Sequence, residues 1–273
     1  MVSTYSIFVM LNHFCSASLR MLVAFVFVAG GSGCAAPGGQ LGAYSDDSNH
    51  RFTQQIAPWV SASAQAAPSS LPWTHYQLPG KTPSQFEYVL EDGRAAIAAK
   101  AQSSASMLRQ RVRVEPKDLG SLKFSWKLPD LIQYADMSLR EFDDSPVRVV
   151  LAFEGDRSKF SAKNAMLSEL AYVLTGEPLP YATLMYVWCN DCEPNKVILN
   201  PHTDRIRKLP LEAGKGKLNQ WMAYERPVRA DFIEAFGEEP GTLTSISIMT
   251  DTDNTKSVAR AFYGPVQLLP KVP

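Results

Sequence analysis

The chain carries no surplus of either charge: 27 Lys and Arg residues stand against 27 Asp and Glu. That argues against nucleic acid as a partner, because binding through phosphate neutralisation needs a basic excess. The apolar run at residues 21–29 falls short of the roughly 20 residues that cross a bilayer. Catalytic signatures are missing as well. There is no Gly-x-Ser-x-Gly, no His-Glu-x-x-His and no phosphate loop, and Gly214-Lys-Gly-Lys217 lacks the flanking pattern. Histidine is scarce, with 4 in the chain, so a Ser-His-Asp triad would have to use His75 or His202. What is present is ordinary: 45% hydrophobic and 20% charged residues, which excludes wholesale disorder.

The N-terminus reads as an address. The first 44 residues hold one formal charge, Arg20. Behind it runs Met21-Leu-Val-Ala-Phe-Val-Phe-Val-Ala29, the length of a signal-peptide core, followed by small residues. Gly31-Ser-Gly-Cys34-Ala-Ala36 then resembles a bacterial lipobox, with Gly31 where an aliphatic residue is usual. The reading is a lipoprotein signal peptide over residues 1–33 and lipidation at Cys34. The membrane is then a partner, reached through the lipid. Plain signal-peptidase cleavage and a buried strand are the alternatives. Ala35, rather than Asp, follows the cysteine, which favours the outer membrane of a bacterial cell envelope. Residues 34–70 are rich in Ala, Ser, Gly and Pro and are expected to form a flexible tether, because they cannot bury enough apolar surface to offset chain entropy. Within it, Phe52 to Val60 is expected to dock as an edge strand. Residues 71–273 are left as a single domain.

Cysteine is also scarce. Cys15 leaves with the leader and Cys34 takes the lipid, so Cys189-Asn-Asp-Cys192 is the pair that remains. In an exported protein the first reading is a local disulfide. A thiol-redox site, which wants its first Cys at a helix N-terminus, is an alternative. So are free thiols, or a metal site completed by His202 and Asp204.

From residue 71 onward the period is two. In Ser121-Leu-Lys-Phe-Ser-Trp-Lys-Leu128, Leu122, Phe124, Trp126 and Leu128 share one face and the polar residues the other, as in a half-buried antiparallel strand. Val147, Val149, Leu151 and Phe153 share a face in the same way, with Arg148 opposite. Residues 182–188 are apolar on both faces and predict a central strand. Further strands are expected at 73–78, 85–91, 94–101, 107–114, 196–199, 204–209, 219–226, 242–250 and 257–268. Two helices interrupt them. One is N-capped by Ser161, carries Met166, Leu170, Val173 and Leu174 on one stripe, and stops at Gly176. The other covers residues 229–236 and stops at Gly237. A dozen strands with two short helices predict a mainly β, antiparallel β-sandwich of jelly-roll or galactose-binding-like form.

Several strings resemble a family of bacterial secreted proteins known as a domain of unknown function, number three-zero-four-seven. They are Trp126 in its strand, Ala135-Asp136, Asp143-Asp144 with Pro146-Val-Arg148, Phe153-Glu-Gly-Asp156 and Leu184-Met-Tyr-Val-Trp188. Arg226 with Asp231 and Phe236-Gly237 follow, and then Met249-Thr-Asp-Thr-Asp-Asn-Thr255. The resemblance covers roughly residues 70–268. It implies a jelly-roll-like sandwich at the cell envelope and no particular activity.

Three constellations could carry chemistry. Asp251, Asp253 and Asn254 supply hard oxygen ligands at short spacing, suited to a structural Ca²⁺. They equally suit an Asx-turn in which these side chains bond their own backbone, and the turn is the primary expectation. Asp136, Asp143, Asp144 and Arg148 cluster around a loop entering a strand. They could cradle a sugar or carboxylated ligand, or form a salt-bridged sheet face. Of the Trp residues, Trp126 and Trp188 sit in core patterns, Trp73 is expected at the rim, and Trp221 could offer a platform for a glycan. The sequence therefore points to a lipid-anchored envelope protein that binds a glycan or other envelope ligand. The alternative is an envelope enzyme acting on polysaccharide through carboxylates near Asp136–Asp144 with Arg148 and His202.

Overall fold

A computed structural model describes residues 57–63 and 72–271. The leader, Cys34 and most of the tether lie outside the described residues. In chain order the elements are α1 (Ala57–Ala62), β1 (Trp73–Gln77), β2 (Gln85–Glu91), β3 (Arg94–Gln102), β4 (Ala105–Val114), β5 (Ser121–Lys127) and β6 (Ser145–Phe153). Then come α2 (Ala162–Thr175), β7 (Ala182–Cys189), β8 (Ile198–Leu199), β9 (Ile206–Ala213) and β10 (Trp221–Pro227). The chain closes with α3 (Val228–Phe236), β11 (Leu243–Asp251), β12 (Val258–Tyr263) and β13 (Gln267–Leu268).

The strands form two facing sheets of a jelly-roll-like sandwich. One has the order β1-β4-β11-β6-β7-β9-β8; the other runs β10-β5-β12-β3-β2, with β13 also on β5. The period-two faces meet between them. Phe124 and Trp126 of β5 pack with Leu151 of β6, Tyr186 and Trp188 of β7, and Ile246 and Ile248 of β11 in one buried cluster. Phe124 stacks on Tyr186 at 5.5 Å between ring centroids. The Tyr186 hydroxyl donates to Asp231 at 2.7 Å, and Arg226 grips the same carboxylate with two donors, tying β7, β10 and α3 together at the core's edge.

Three expectations are corrected. The sandwich is not wholly antiparallel: β9 pairs with β7 in parallel. Residues 190–205 supply the long crossover that parallel pairing requires. The segment around Trp59 docks as the helix α1, not as an edge strand. Its indole is fully buried and donates to the Tyr263 carbonyl at 3.0 Å. Trp73 is core, not rim, and meets Trp59 edge-on at 4.9 Å. Trp59 had no period-two context, so nothing local marked it as core.

In α2 the structure decides what periodicity leaves open. The helix ends follow the local signals: Ser161 accepts from the Asn164 amide, and Gly176 closes the helix in the left-handed conformation at φ 75°. Its apolar stripe, however, faces away from the body. Met166, Leu170, Val173 and Leu174 are exposed, whereas Asn164 and Ser168 are buried. Polar bonds hold the inward face. Asn164 donates to Asp204 and accepts from Thr203, and Arg157 donates to Ser168. Just past the helix, Glu177 accepts from Arg109 and Arg111 of β4.

Candidate functional site

The polar residues singled out in sequence gather at one end of the seven-stranded sheet. Arg148 and Lys208 project from β6 and β9 on the side opposite the core residues Val149 and Leu209. Instead of an exposed ion pair, they enter a buried quartet. Arg148 Nε donates to Asp251 Oδ1 at 3.1 Å, and its Nη2 reaches Asp251 Oδ2 at 3.0 Å and Asp143 Oδ1 at 3.3 Å. Lys208 Nζ donates to Asp143 Oδ1 at 2.6 Å and to the Met137 carbonyl at 2.8 Å. Asn200 donates to the second Asp143 oxygen at 3.1 Å. Two cations thus balance two carboxylates away from water. Burial pushes the Asp251 carboxyl up to about 6 against the pull of Arg148. Burial, with Arg148 nearby, pulls the Lys208 amine down to about 8.

Asp144 does different work. Its carboxylate accepts from the Asn254 and Thr255 amides and from the Thr255 hydroxyl. The turn after β11 is therefore held by a carboxylate from the loop before β6, not by its own Asx side chains as expected. Those side chains are engaged elsewhere: Asp251 with Arg148, Asp253 with Lys81, and Asn254 as donor to the Arg140 carbonyl.

Asp144, Asp251 and Asp253 do bring one oxygen each within 4.8 Å of one another. Two of the three already face a cation, and Asn254 points away, so the donor set is far from the six to eight oxygens Ca²⁺ takes. Asp144→Ala is expected to destabilise the fold by about 2–3 kcal/mol, the cost of leaving turn donors without their acceptor. EDTA should leave the wild-type melting temperature unchanged. A loss on adding EDTA that Ca²⁺ reverses would instead mean a structural metal.

The Cys189–Cys192 pair is a disulfide, with Cα atoms 6.1 Å apart. Its sulfurs are therefore not available as the thiolate ligands the metal alternative needed. The presumed co-ligands lie with other partners: Asp204 with Asn164, and His202 among the charges of Arg140, Asp143, Lys163 and Lys208. Burial is the main reason the His202 imidazole is held below its usual range. Opening the bridge by Cys189→Ser with Cys192→Ser should cost about 1–3 kcal/mol, because so short a loop restrains the unfolded chain little. Thiol titration of the unreduced, denatured protein checks the bridge directly: neither of these two cysteines should react.

Two openings flank the 130–137 stretch of the loop before β6. One, of 150 Å³, is lined by Asp136, Asp144, Trp188 and both cysteines. The second, of 450 Å³, is lined by Asp130, Gln133, Tyr134, Asn190 and Lys215. They share Asn190, whose amide donates to the Ile132 carbonyl at 2.7 Å and so pins the loop between β5 and β6. Tyr134, on that loop, is 74% exposed and sits at φ 65°. A bulky residue held in the left-handed region is strained by about 1–3 kcal/mol.

The sequence reading reaches Asp136 and Asp144 on the smaller opening. Asp143 and Arg148, grouped in the sequence, do meet in the quartet, and the structure adds Asp251, which the sequence had set apart with Asp253 and Asn254. Trp221 does not join them: it lies on β10 of the other sheet, paired in register with Lys127, with Arg94 5.4 Å from its ring. Asp136 is used locally, accepting from the Ser138 amide and hydroxyl. Lys208, Asn200 and Tyr134 were missed. Lys208 looks like any outward residue of an alternating strand, and Tyr134 stands alone in a polar turn.

No curated protein matches the chain. Among solved structures, it is similar to the xyloglucanase domain of NopAA, a type three effector from Sinorhizobium fredii in complex with cellobiose. That likeness has 9% identity and a TM-score of 0.39 over 74% of this chain and 97% of that one. It is also similar to the Trichoderma harzianum endoglucanase 3 from family GH12, at 7% identity and a TM-score of 0.38 over 76% and 93%. Likeness at that level says nothing of activity. The family model described as Protein of unknown function (DUF3047) spans residues 71–267, and the chain belongs to that family.

Proposed function

We propose that the protein is a lipid-anchored, non-catalytic binding protein of the bacterial envelope, and that its ligand is a glycan held at the Tyr134 cleft. The observation that carries this reading is Tyr134 itself, an exposed aromatic ring kept at a strained backbone angle on the wall of a 450 Å³ opening. Strain kept at one exposed residue is a common mark of a working site. A ring face stacks on the apolar face of a sugar, and Asp130, Gln133, Asn190 and Lys215 around it offer donors and acceptors for hydroxyls. The carboxylates considered for hydrolysis are otherwise committed: Asp143 to Lys208 and Arg148, Asp144 to the 254–255 backbone, and Asp136 to Ser138. That favours binding over polysaccharide cleavage.

The test is titration calorimetry against soluble envelope glycans, together with a reducing-end assay on the same glycans. Wild type should bind at least one without releasing new ends. Tyr134→Ala should lose that binding with its melting temperature kept. Binding untouched by Tyr134→Ala, or release of reducing ends, overturns the reading. The anchor is tested separately by metabolic labelling with a palmitate analogue, which Cys34→Ala should abolish.

A further inference from the structure

An amphipathic helix on a globular protein normally turns its apolar stripe inward, because burial of each large side chain is worth about 1.5–3 kcal/mol. α2 does the reverse. Met166 is 64% exposed, Leu170 53%, Val173 78% and Leu174 56%. They recur at the spacing that aligns them on one side of the helix. Tyr172 and Leu179 extend the exposed apolar surface at its C-terminal end. The inward side is polar or small and is held by hydrogen bonds, so the helix is fixed with its apolar side out.

We infer that the outward face of α2 lies in the interfacial layer of a lipid bilayer, seating the domain against the membrane. The inference rests on the proposed lipidation of Cys34 only for what brings a bilayer near. Residues 35–56 separate that cysteine from α1 and can span at most about 75 Å. A domain of this size is about 40 Å across, so either side of it can reach the membrane. Charge agrees. The one ionic residue inside the stripe is Lys163, exposed and able to extend toward lipid phosphates, with the exposed Lys159 just before the helix. Glu169 stands at the stripe's flank. The apolar face is confined to one 14-residue helix, and a second copy, which would need roughly 800 Å² per partner, is the outcome that the cross-linking arm of the experiment distinguishes.

The experiment places an environment-sensitive fluorophore at Val173→Cys in the full chain, reconstituted into vesicles of phosphatidylethanolamine and phosphatidylglycerol. A control carries it at Val258→Cys, an exposed position on the six-stranded sheet. The label on α2 should shift to the blue and be quenched by brominated acyl chains, while the control keeps its emission in water. Adding Leu170→Glu and Tyr172→Glu should abolish the shift without changing the melting temperature, since both positions are exposed. A water-like label on α2 overturns the inference. So does a blue-shifted label that brominated lipid does not quench in a protein that cross-links as a dimer, which would identify a second copy. Should Cys34 carry no lipid, the same label still reports whether α2 enters added vesicles, so the two readings fail separately.

Discussion

Arg148→Met is expected to destabilise the domain by about 3–5 kcal/mol, read as a shift in the urea midpoint with the slope unchanged. The substitution nearly conserves volume, so a cavity contributes little. The cost comes from Asp251, which loses both guanidinium contacts, and from Asp143, left with Lys208 and Asn200. Adding Asp251→Leu should return part of the loss, because it removes the carboxylate that the first change stranded. A double-mutant coupling of at least about 1 kcal/mol is expected for groups in such contact.

The pH dependence has a definite sign. Burial raises the folded Asp251 carboxyl to about 6, so the folded state holds that proton more tightly than the unfolded chain does. The stability this contributes is complete below about pH 4 and is lost as pH climbs toward 6. Wild type should therefore lose stability relative to Asp251→Asn across that window. Lys208, lowered to about 8, acts at the other side: the unfolded chain keeps its proton longer, so stability from this group rises with pH above 8. An Arg148→Met loss under 1 kcal/mol, or a difference from Asp251→Asn that is flat from pH 4 to 6, would mean water reaches these charges.

Trp59→Ala should be nearly as damaging, at about 3–5 kcal/mol for an emptied indole site. The side chain is wholly buried, packs on Trp73 and satisfies the Tyr263 carbonyl with its Nε1–H. Against the 5–15 kcal/mol that holds a typical domain together, this is a large share. A chain begun at residue 72 should show the same deficit, with earlier urea unfolding than the full chain. Equal midpoints would show that α1 contributes nothing to the fold in solution.

The strands were legible because alternation is local. Residues 121–127 show their faces by spacing alone, and β2 and β5 sit where strands were expected. Helix ends were legible because Ser161, Gly176 and Gly237 carry their conformational bias with them. The Arg148–Asp143 contact was within reach of the sequence, since the two are five residues apart. Lys208 and Asp251 were not: they come to the cluster from 65 and 103 residues away, and nothing in a strand's alternation tells an outward lysine bound for water from one bound for a buried carboxylate. The periodicity of α2 showed that its apolar residues share a side, which follows from helix geometry alone. Which side meets the body was decided by Asn164, Ser168 and their partners across the fold, because a period sets side-chain directions relative to one another and never relative to the rest of the molecule.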